Sequence, residues 1–369
     1  MADNDVTNEM IERLEWRDSK KEETPHLKSR AVTRRAALGG GVGALGALML
    51  GQTGSALAAT ARGASAGSTF GTTKSYKFVF VNHVTTNPFF VPTQYGIADA
   101  CALLGIPNAQ WTGSASSNVG QMVSAFNTAI AAKADGIACA MIDPKAFNTP
   151  VASALAKGIP VVSYNADEPN GRLAYIGQDL FVSGQQMGAH IRALVPSGNV
   201  ALFIATPGSA NIQPRIDGAE SVLKGTSTKY TVQATGALTP QELTAIEAFW
   251  TGHSSFKGLF AVDAGSTQSL LQTIQKNNLK GKVKGGGYDL TPITEKLIAE
   301  GYGQFTIDQQ PYLQGFLPVL EMFLYNASKG LSGIADIDTG LKFLTPSTIK
   351  PYSSTTSRYE GTGSSPGVK

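Results

Sequence analysis

The chain has 369 residues, of which 42% are hydrophobic and 15% are charged, and its formal net charge at pH 7 is +3. This composition is typical of a folded protein with room for two domains of ordinary size. The small net charge, without a basic stretch interleaved with aromatics, argues against a nucleic-acid partner. The two cysteines are expected to stay free thiols, and the four histidines have no metal-ligand spacing. We therefore expect neither a metal site nor a cofactor.

The first 59 residues have the features of an export signal. Arg34 and Arg35 precede an apolar segment rich in Gly and Ala, and small residues at 55–59 resemble a cleavage site. The paired arginines ahead of a glycine-diluted segment resemble a twin-arginine signal, which exports folded protein. The segment is shorter than the roughly 20 apolar residues of a spanning helix. We expect a signal at 1–59, a disordered linker at 60–74 and a soluble periplasmic protein after cleavage.

From residue 76 onward, short apolar runs alternate with helical patterns. The predicted strands are 76–84, 109–112, 136–142, 160–165, 173–176, 199–205, 230–234, 259–262, 283–288 and 305–307. Continuous apolar strands separated by helices indicate parallel sheets that are covered on both faces. The pattern restarts half-way, which favours an α/β fold of two doubly wound, Rossmann-like domains. A single eight-stranded barrel fits poorly, because long helices are predicted at 178–196 and 313–329.

Side chains at the carboxyl ends of the predicted strands are the candidate ligand-binding residues, because ligands bind there in doubly wound sheets. They are Asn87, Phe89, Phe90, Trp111, Asp143, Tyr164, Asn165, Asp167, Gln213, Arg215, Asp263, Asp289 and Gln309. Flat aromatics suit the apolar faces of a sugar or polyol, and planar polar groups suit its hydroxyls. Other roles stay open for single members. The Phe pair can plug the sheet end, Trp111 can be a core residue, and an Asp after a strand is often a helix N-cap. His83, on an apolar strand, is interpreted as a satisfied core residue.

Five motifs occur in a characteristic order. They are Thr86-Asn87-Pro88-Phe89-Phe90, Ile142-Asp143-Pro144, Gly158-Ile159-Pro160-Val161-Val162, Arg215-x-x-Gly218 and Gly287-Tyr288-Asp289. Through these five motifs the chain resembles the ribose/galactose-type periplasmic sugar-binding proteins of ABC importers. The resemblance covers about residues 76–332. The resemblance implies two domains joined by a three-strand hinge, with a ligand cleft between them. It assigns 75–178 plus 310–337 to the N-terminal domain and 179–309 plus 338–360 to the C-terminal domain. It also implies a monomer that captures a sugar or polyol by hinge closure and presents it to a membrane permease, without catalysis.

The resemblance also implies roles for single residues. Phe89 and Phe90 take the place of the family's stacking pair, and the family's polar ligand positions fall on Asn165, Arg215, Asp263, Asp289 and Gln309. Many relatives have an Arg beside the fourth-strand acid, where this chain has Ala166. That departure leaves room for a smaller sugar or an acyclic polyol. The chain has no Asp-x-Asn-x-Asp loop, so no structural calcium is expected.

The sequence bears on three other possible functions. An enzyme could use Asp263, Asp289 and Asp308 as paired carboxylates, but the chain has no Gly-x-Ser-x-Gly elbow. A sugar-responsive repressor would need an N-terminal helix-turn-helix where the export signal stands. A sensor for a small furanosyl signal differs from a nutrient receptor only in its ligand. The sequence does not choose between those ligands.

Overall fold

The computed structural model describes residues 70–71, 74–143, 145–333, 335–353 and 357–359. The predicted export signal, and residues 60–69 of the predicted linker, lie outside this part. All described residues belong to one compact unit. None of the helices in it is both long and apolar enough to cross a membrane.

The first sheet is built from short buried strands at the start of the unit. Its strands are β1 (Phe78–Asn82), β2 (Gln110–Gly113), β3 (Gly136–Cys139), β4 (Val161–Tyr164), β5 (Ala174–Gly177) and β11 (Ile337–Asp338). They pair in the order β11-β5-β4-β3-β1-β2, all parallel. The helices that belong to this sheet are α1 (Val91–Leu104), α2 (Val119–Ala131), α3 (Asn148–Leu155) and α9 (Pro311–Ala327). We call these elements the first half.

The second sheet repeats this arrangement. Its strands are β6 (Gly198–Ile204), β7 (Thr228–Ala234), β8 (Gly258–Ala261), β9 (Lys284–Tyr288), β10 (Phe305–Asp308) and β12 (Lys342–Leu344). They pair in the order β12-β10-β9-β8-β6-β7, and β12 runs antiparallel to β10. The helices are α4 (Leu180–Leu194), α5 (Gln213–Leu223), α6 (Thr239–Gly252), α7 (Ala264–Lys276), α8 (Pro292–Ala299) and α10 (Lys350–Ser353). We call these elements the second half.

The prediction of an α/β fold with two doubly wound sheets is confirmed. β1, β3 and β4 are buried along their whole length, as strands covered by helices on both faces must be. Two strands were not predicted. β11 has two residues and β12 three, too few for a hydrophobic period to be read from the sequence.

The chain passes between the two sheets three times. It leaves the first sheet after β5, returns after β10, and crosses again between β11 and β12. The domain bounds expected from the sequence put the third crossing directly after residue 337, but Ile337 and Asp338 still pair with β5, so the crossing follows at 339–341. The end of the described chain also departs from the expectation for 338–360. Arg358 pairs with Asp99 on α1, so this part of the tail lies against the first half.

Two glycines allow α4 and α5 to pack at close range. A Cβ atom on Gly184 would lie 2.2 Å from the Arg215 carbonyl oxygen, and one on Gly218 would lie 2.2 Å from the Phe181 carbonyl oxygen. Because these contacts are with backbone atoms, even a methyl group at either position would force the two helices apart. The glycines therefore fix the distance between these helices and, with it, the position of Arg215.

Candidate functional site

A small cavity lies where the carboxyl ends of the two sheets face each other. Its volume is about 60 Å³, and both halves contribute to its wall. Eight of the predicted site residues line it: Asn87, Phe89, Phe90, Asn165, Arg215, Asp263, Asp289 and Gln309.

The first wall of the cavity is aromatic. Asn87 accepts a 3.0 Å hydrogen bond from the Phe89 amide and so caps a single 3-10 turn, Pro88–Phe90. The two Phe rings meet edge to face, with centroids 4.8 Å apart. Phe90 is only 1% exposed and also contacts Trp111 and His83, so it is a core residue as well as a cavity residue.

Asn165 follows β4 in a left-handed backbone conformation, with φ of 62°. Asn tolerates this conformation better than most residues do. Its amide nitrogen donates to Gln314 Oε1 at 3.2 Å. Its carbonyl oxygen Oδ1 is buried and has no hydrogen-bond partner among the described residues. The strained turn therefore presents one free acceptor at the cavity.

Arg215, in the first turn of α5, is 2% exposed. Its guanidinium carbon lies 4.1 Å from the centroid of the Tyr288 ring, and Nη1 donates to the Val262 carbonyl oxygen at 2.8 Å. The Nε atom is buried and lacks a partner in the described structure. Stacking and one backbone contact thus hold the side chain in place while leaving a donor unused.

Asp289 follows β9 with φ of 74°. Its carboxylate accepts a 2.7 Å hydrogen bond from Gln309 Nε2. Burial raises the pKa of Asp289 to about 7, although the nearby Arg215 charge acts in the opposite direction. Gln309 stands in the crossing that follows β10, so this bond joins the cavity wall to the connection between the halves.

Asp263 is the N-cap of α7. Oδ1 accepts from the Ser266 amide and Oδ2 from the Ala205 amide, both at 2.9 Å. A second carboxyl, that of Glu242 on α6, lines the same part of the cavity and interacts electrostatically with Asp263. Burial, and after it the charge of Asp263, raises the pKa of Glu242 to about 9, so Glu242 is protonated at neutral pH. The sequence analysis did not select Glu242.

His83 was interpreted as a satisfied core residue; it is buried, as expected, but its polar atoms are not all satisfied. It follows β1 directly and lines the cavity. Its Nε2 lies 3.3 Å from Asn211 Nδ2 in the second half, while Nδ1 is buried and has no partner in the described part of the chain. Burial lowers the pKa of His83 to about 4, so the ring is neutral at pH 7.

The family follows from the whole chain rather than from the cavity alone. A family model for a periplasmic binding protein domain matches residues 78–329, which include the strands and helices that carry the cavity. The chain belongs to the periplasmic binding protein family. This confirms the resemblance drawn from the five motifs.

Individual relatives agree with this assignment. A xylose/arabinose-binding protein, XylF of Sulfolobus acidocaldarius, is 53% identical over 306 residues, covering 78% of this chain and 75% of the relative. An ABC transporter solute-binding protein of Burkholderia graminis, solved with D-arabinose, has a TM-score of 0.71 at 26% identity, covering 76% of this chain and 98% of its own. A carbohydrate transporter of Acidothermus cellulolyticus, solved with myo-inositol, has a TM-score of 0.68 at 26% identity, with coverage of 76% and 98%. The relative and the fold are those of binding proteins and not of enzymes.

In this periplasmic binding protein, five predicted residues lie outside the cavity. Tyr164 is fully buried and its hydroxyl accepts from Asn82, while Trp111 packs on Phe90 from the far side. The other three are held by local contacts. Asp143 accepts from the amides of residues 145 and 146, Asp167 pairs with Arg172, and Gln213 donates to Asp217.

Proposed function

We propose that this protein is exported and captures a single pentose, of the xylose or arabinose type, in the cleft between its halves for delivery to the permease of an ABC importer. One observation carries the proposal. Three buried polar atoms at the same cavity lack partners in the described structure: His83 Nδ1 and Asn165 Oδ1 from the first half, and Arg215 Nε from the second. Buried polar atoms are costly to leave unpaired, so their convergence supports a polar ligand.

The chemistry of the wall favours a polyhydroxylated molecule over a charged one. A hydroxyl both donates and accepts, and therefore matches the free acceptor of Asn165 as well as the free donor of Arg215. Arg215 shares the cavity wall with the carboxyl groups of Asp263 and Asp289, so the wall carries no strong excess of either sign. The Phe89 and Phe90 rings offer an apolar surface for the C–H face of a sugar.

Two observations favour a small ligand. The cavity is small and has walls from both halves, which favours a single sugar unit over an oligosaccharide. Ala166 stands where many relatives have an Arg for a pyranose, which favours a smaller sugar. The xylose and arabinose specificity of the 53% identical relative supports a pentose in particular.

Capture would proceed by closure of the two halves over the ligand. Hydrogen bonds already cross between them, from the Ala210 amide to the Ile142 carbonyl oxygen at 2.9 Å and between Asn211 and His83. A ligand held by residues of both halves binds the closed form better than the open form and shifts the population towards it. The closed form then offers both halves to the permease.

A thermal-shift and calorimetric screen of the purified protein tests this function. The panel contains D-xylose, both arabinose enantiomers, ribose, glucose, pentitols and myo-inositol. We expect pentoses to raise the melting temperature more than the other compounds do. At a hundredfold excess over Kd, a bound pentose adds about 2.7 kcal/mol to the free energy of unfolding. A response to pentitols or myo-inositol alone would replace the pentose by a polyol. A response to none of them would contradict the proposed function.

A further inference from the structure

Glu242 is a buried acid that sequence analysis missed and that the capture mechanism above does not use. It lies in the first turn of α6, is 3% exposed and lines the cavity together with Asp263 and Gly265. An acid in the first turn of a helix usually lies at the surface, where it stabilises the helix dipole. Glu242 instead reaches across to a different element, the N-cap of α7.

The carboxyl groups of Glu242 and Asp263 differ in which one carries the proton. Both oxygens of Asp263 accept hydrogen bonds from backbone amides, so Asp263 is the better site for the negative charge. Two adjacent buried carboxylates cannot both be ionised at low cost, which leaves the proton on Glu242. A protonated Glu242 can donate its O–H to Asp263 and still offer its carbonyl oxygen as an acceptor at the cavity wall.

The backbone around Glu242 is shaped to admit the carboxyl group. A Cβ atom on Gly265 would lie 1.8 Å from Glu242 Oε2 and 2.7 Å from Oε1. The φ of Gly265 is not positive, so the turn itself does not require glycine. The missing side chain instead leaves the space that the Glu242 carboxyl fills at the cavity wall.

We propose that the buried Glu242 carboxyl at the cavity wall is a ligand-binding group that accepts a hydrogen bond from one sugar hydroxyl and so helps to determine which pentose is bound. This inference rests on the proposed function. It adds to the second half a recognition group that is not among the positions implied by the family resemblance. A neutral acid suits a sugar, because it accepts one hydroxyl without introducing a second buried charge.

The test compares three variants by calorimetry against the best pentose and its single-deoxy analogues. Glu242→Leu removes both polar atoms and is expected to weaken binding by about tenfold to a hundredfold. Glu242→Gln keeps a neutral group of the same shape and should restore most of that loss. Gly265→Ala displaces the carboxyl without changing its chemistry and should also weaken binding. Glu247→Gln, on the same helix but paired with Lys276 at the surface, is the control and should leave Kd unchanged.

The deoxy analogues separate a ligand contact from a structural role. If Glu242 receives one hydroxyl, one deoxy analogue binds wild type weakly but loses nothing further in Glu242→Leu. A uniform loss across all analogues would assign Glu242 to the support of Asp263 and overturn the proposal, as would an unchanged Kd in Glu242→Leu. If Glu242→Leu does not fold, Gly265→Ala and Glu242→Gln carry the same comparison. Failure of the wild type to bind any pentose would refute the proposed function itself, and the Glu242 assignment with it.

Discussion

The side-chain amide of Gln309 donates a 2.7 Å hydrogen bond to the carboxylate of Asp289. Gln309 stands in a crossing between the halves, and its main-chain oxygen accepts from Gln314 and Thr339, the latter in another crossing. Gln314 in turn accepts from Asn165 in the first half. A continuous chain of polar contacts thus joins cavity residues of both halves to the connections between them. Ligand contacts at either end can therefore influence the orientation of the halves.

The first prediction concerns Asp289. Asp289→Ala should weaken pentose binding by about 2 kcal/mol, or roughly thirtyfold, because it leaves both Gln309 and a ligand hydroxyl without an acceptor. The control is Asp217→Ala, an exposed Asp on α5 outside the cavity, which should bind as wild type does. Titration calorimetry at one pH gives both values. Equal affinities in the two variants would remove Asp289 from the site.

The second prediction concerns Phe90. Because this ring is almost fully buried, Phe90→Ala should destabilise the fold by about 3–5 kcal/mol in addition to any loss of binding. Phe181→Ala, at a ring that is 43% exposed, is the matched control and should change stability by less than about 1 kcal/mol. Urea unfolding monitored by circular dichroism measures both. A Phe90 variant with wild-type stability and lost binding would instead make Phe90 a stacking residue only.

The third prediction concerns His83 and pH. Its pKa in the folded protein, about 4, lies below the ordinary value near 6.5, so between these values the unfolded chain binds more protons. The contribution of the buried neutral ring is present above pH 6.5 and is lost as the pH falls to about 4, by about 3 kcal/mol in total. The stability difference between wild type and His83→Gln should therefore shift in favour of the variant over this range. The exposed His253→Gln is the control, and a His83 difference that stays constant with pH would show that the ring is not buried neutral.

The fourth prediction concerns the glycines between α4 and α5. Gly184→Ala places a methyl group against the backbone of Arg215 and should cost about 1–3 kcal/mol of stability while weakening binding through the displaced arginine. Gly252→Ala, where no atom lies within 4 Å of the added methyl, should be neutral or slightly stabilising. Thermal unfolding with and without pentose measures both effects. If Gly184→Ala behaves like Gly252→Ala, the close helix contact is not needed.

The fold could be predicted because most of its central strands are short apolar runs between helical patterns, such as residues 78–81 in β1. β11 and β12 could not, because strands of two and three residues are set by their neighbours rather than by their own composition. The same limit applies to the third crossing, whose position depends on the pairing of Ile337 with β5.

The expectation that ligands bind at the carboxyl ends of the strands located much of the cavity, but it did not give the direction in which each side chain points. Tyr164 is the last residue of β4 and Asn165 follows it, yet Tyr164 turns into the core. Trp111 lies inside β2 and packs on Phe90. The sequence did contain a signal for His83, which directly follows β1. Glu242 had none, because its place in the cavity depends on a helix turn and on the space left by Gly265.

The most direct test of the central claim is a calorimetric titration of the wild type, Asn165→Ala and Arg215→Lys with D-xylose and L-arabinose. Cleft binding by both halves predicts that the wild type binds at least one pentose. It also predicts that each variant, one in each half, loses tenfold or more in affinity, as expected when a buried partner goes unpaired. Cleft binding by both halves would be contradicted if the wild type bound neither sugar. It would also be contradicted if both variants bound the pentose as tightly as the wild type does.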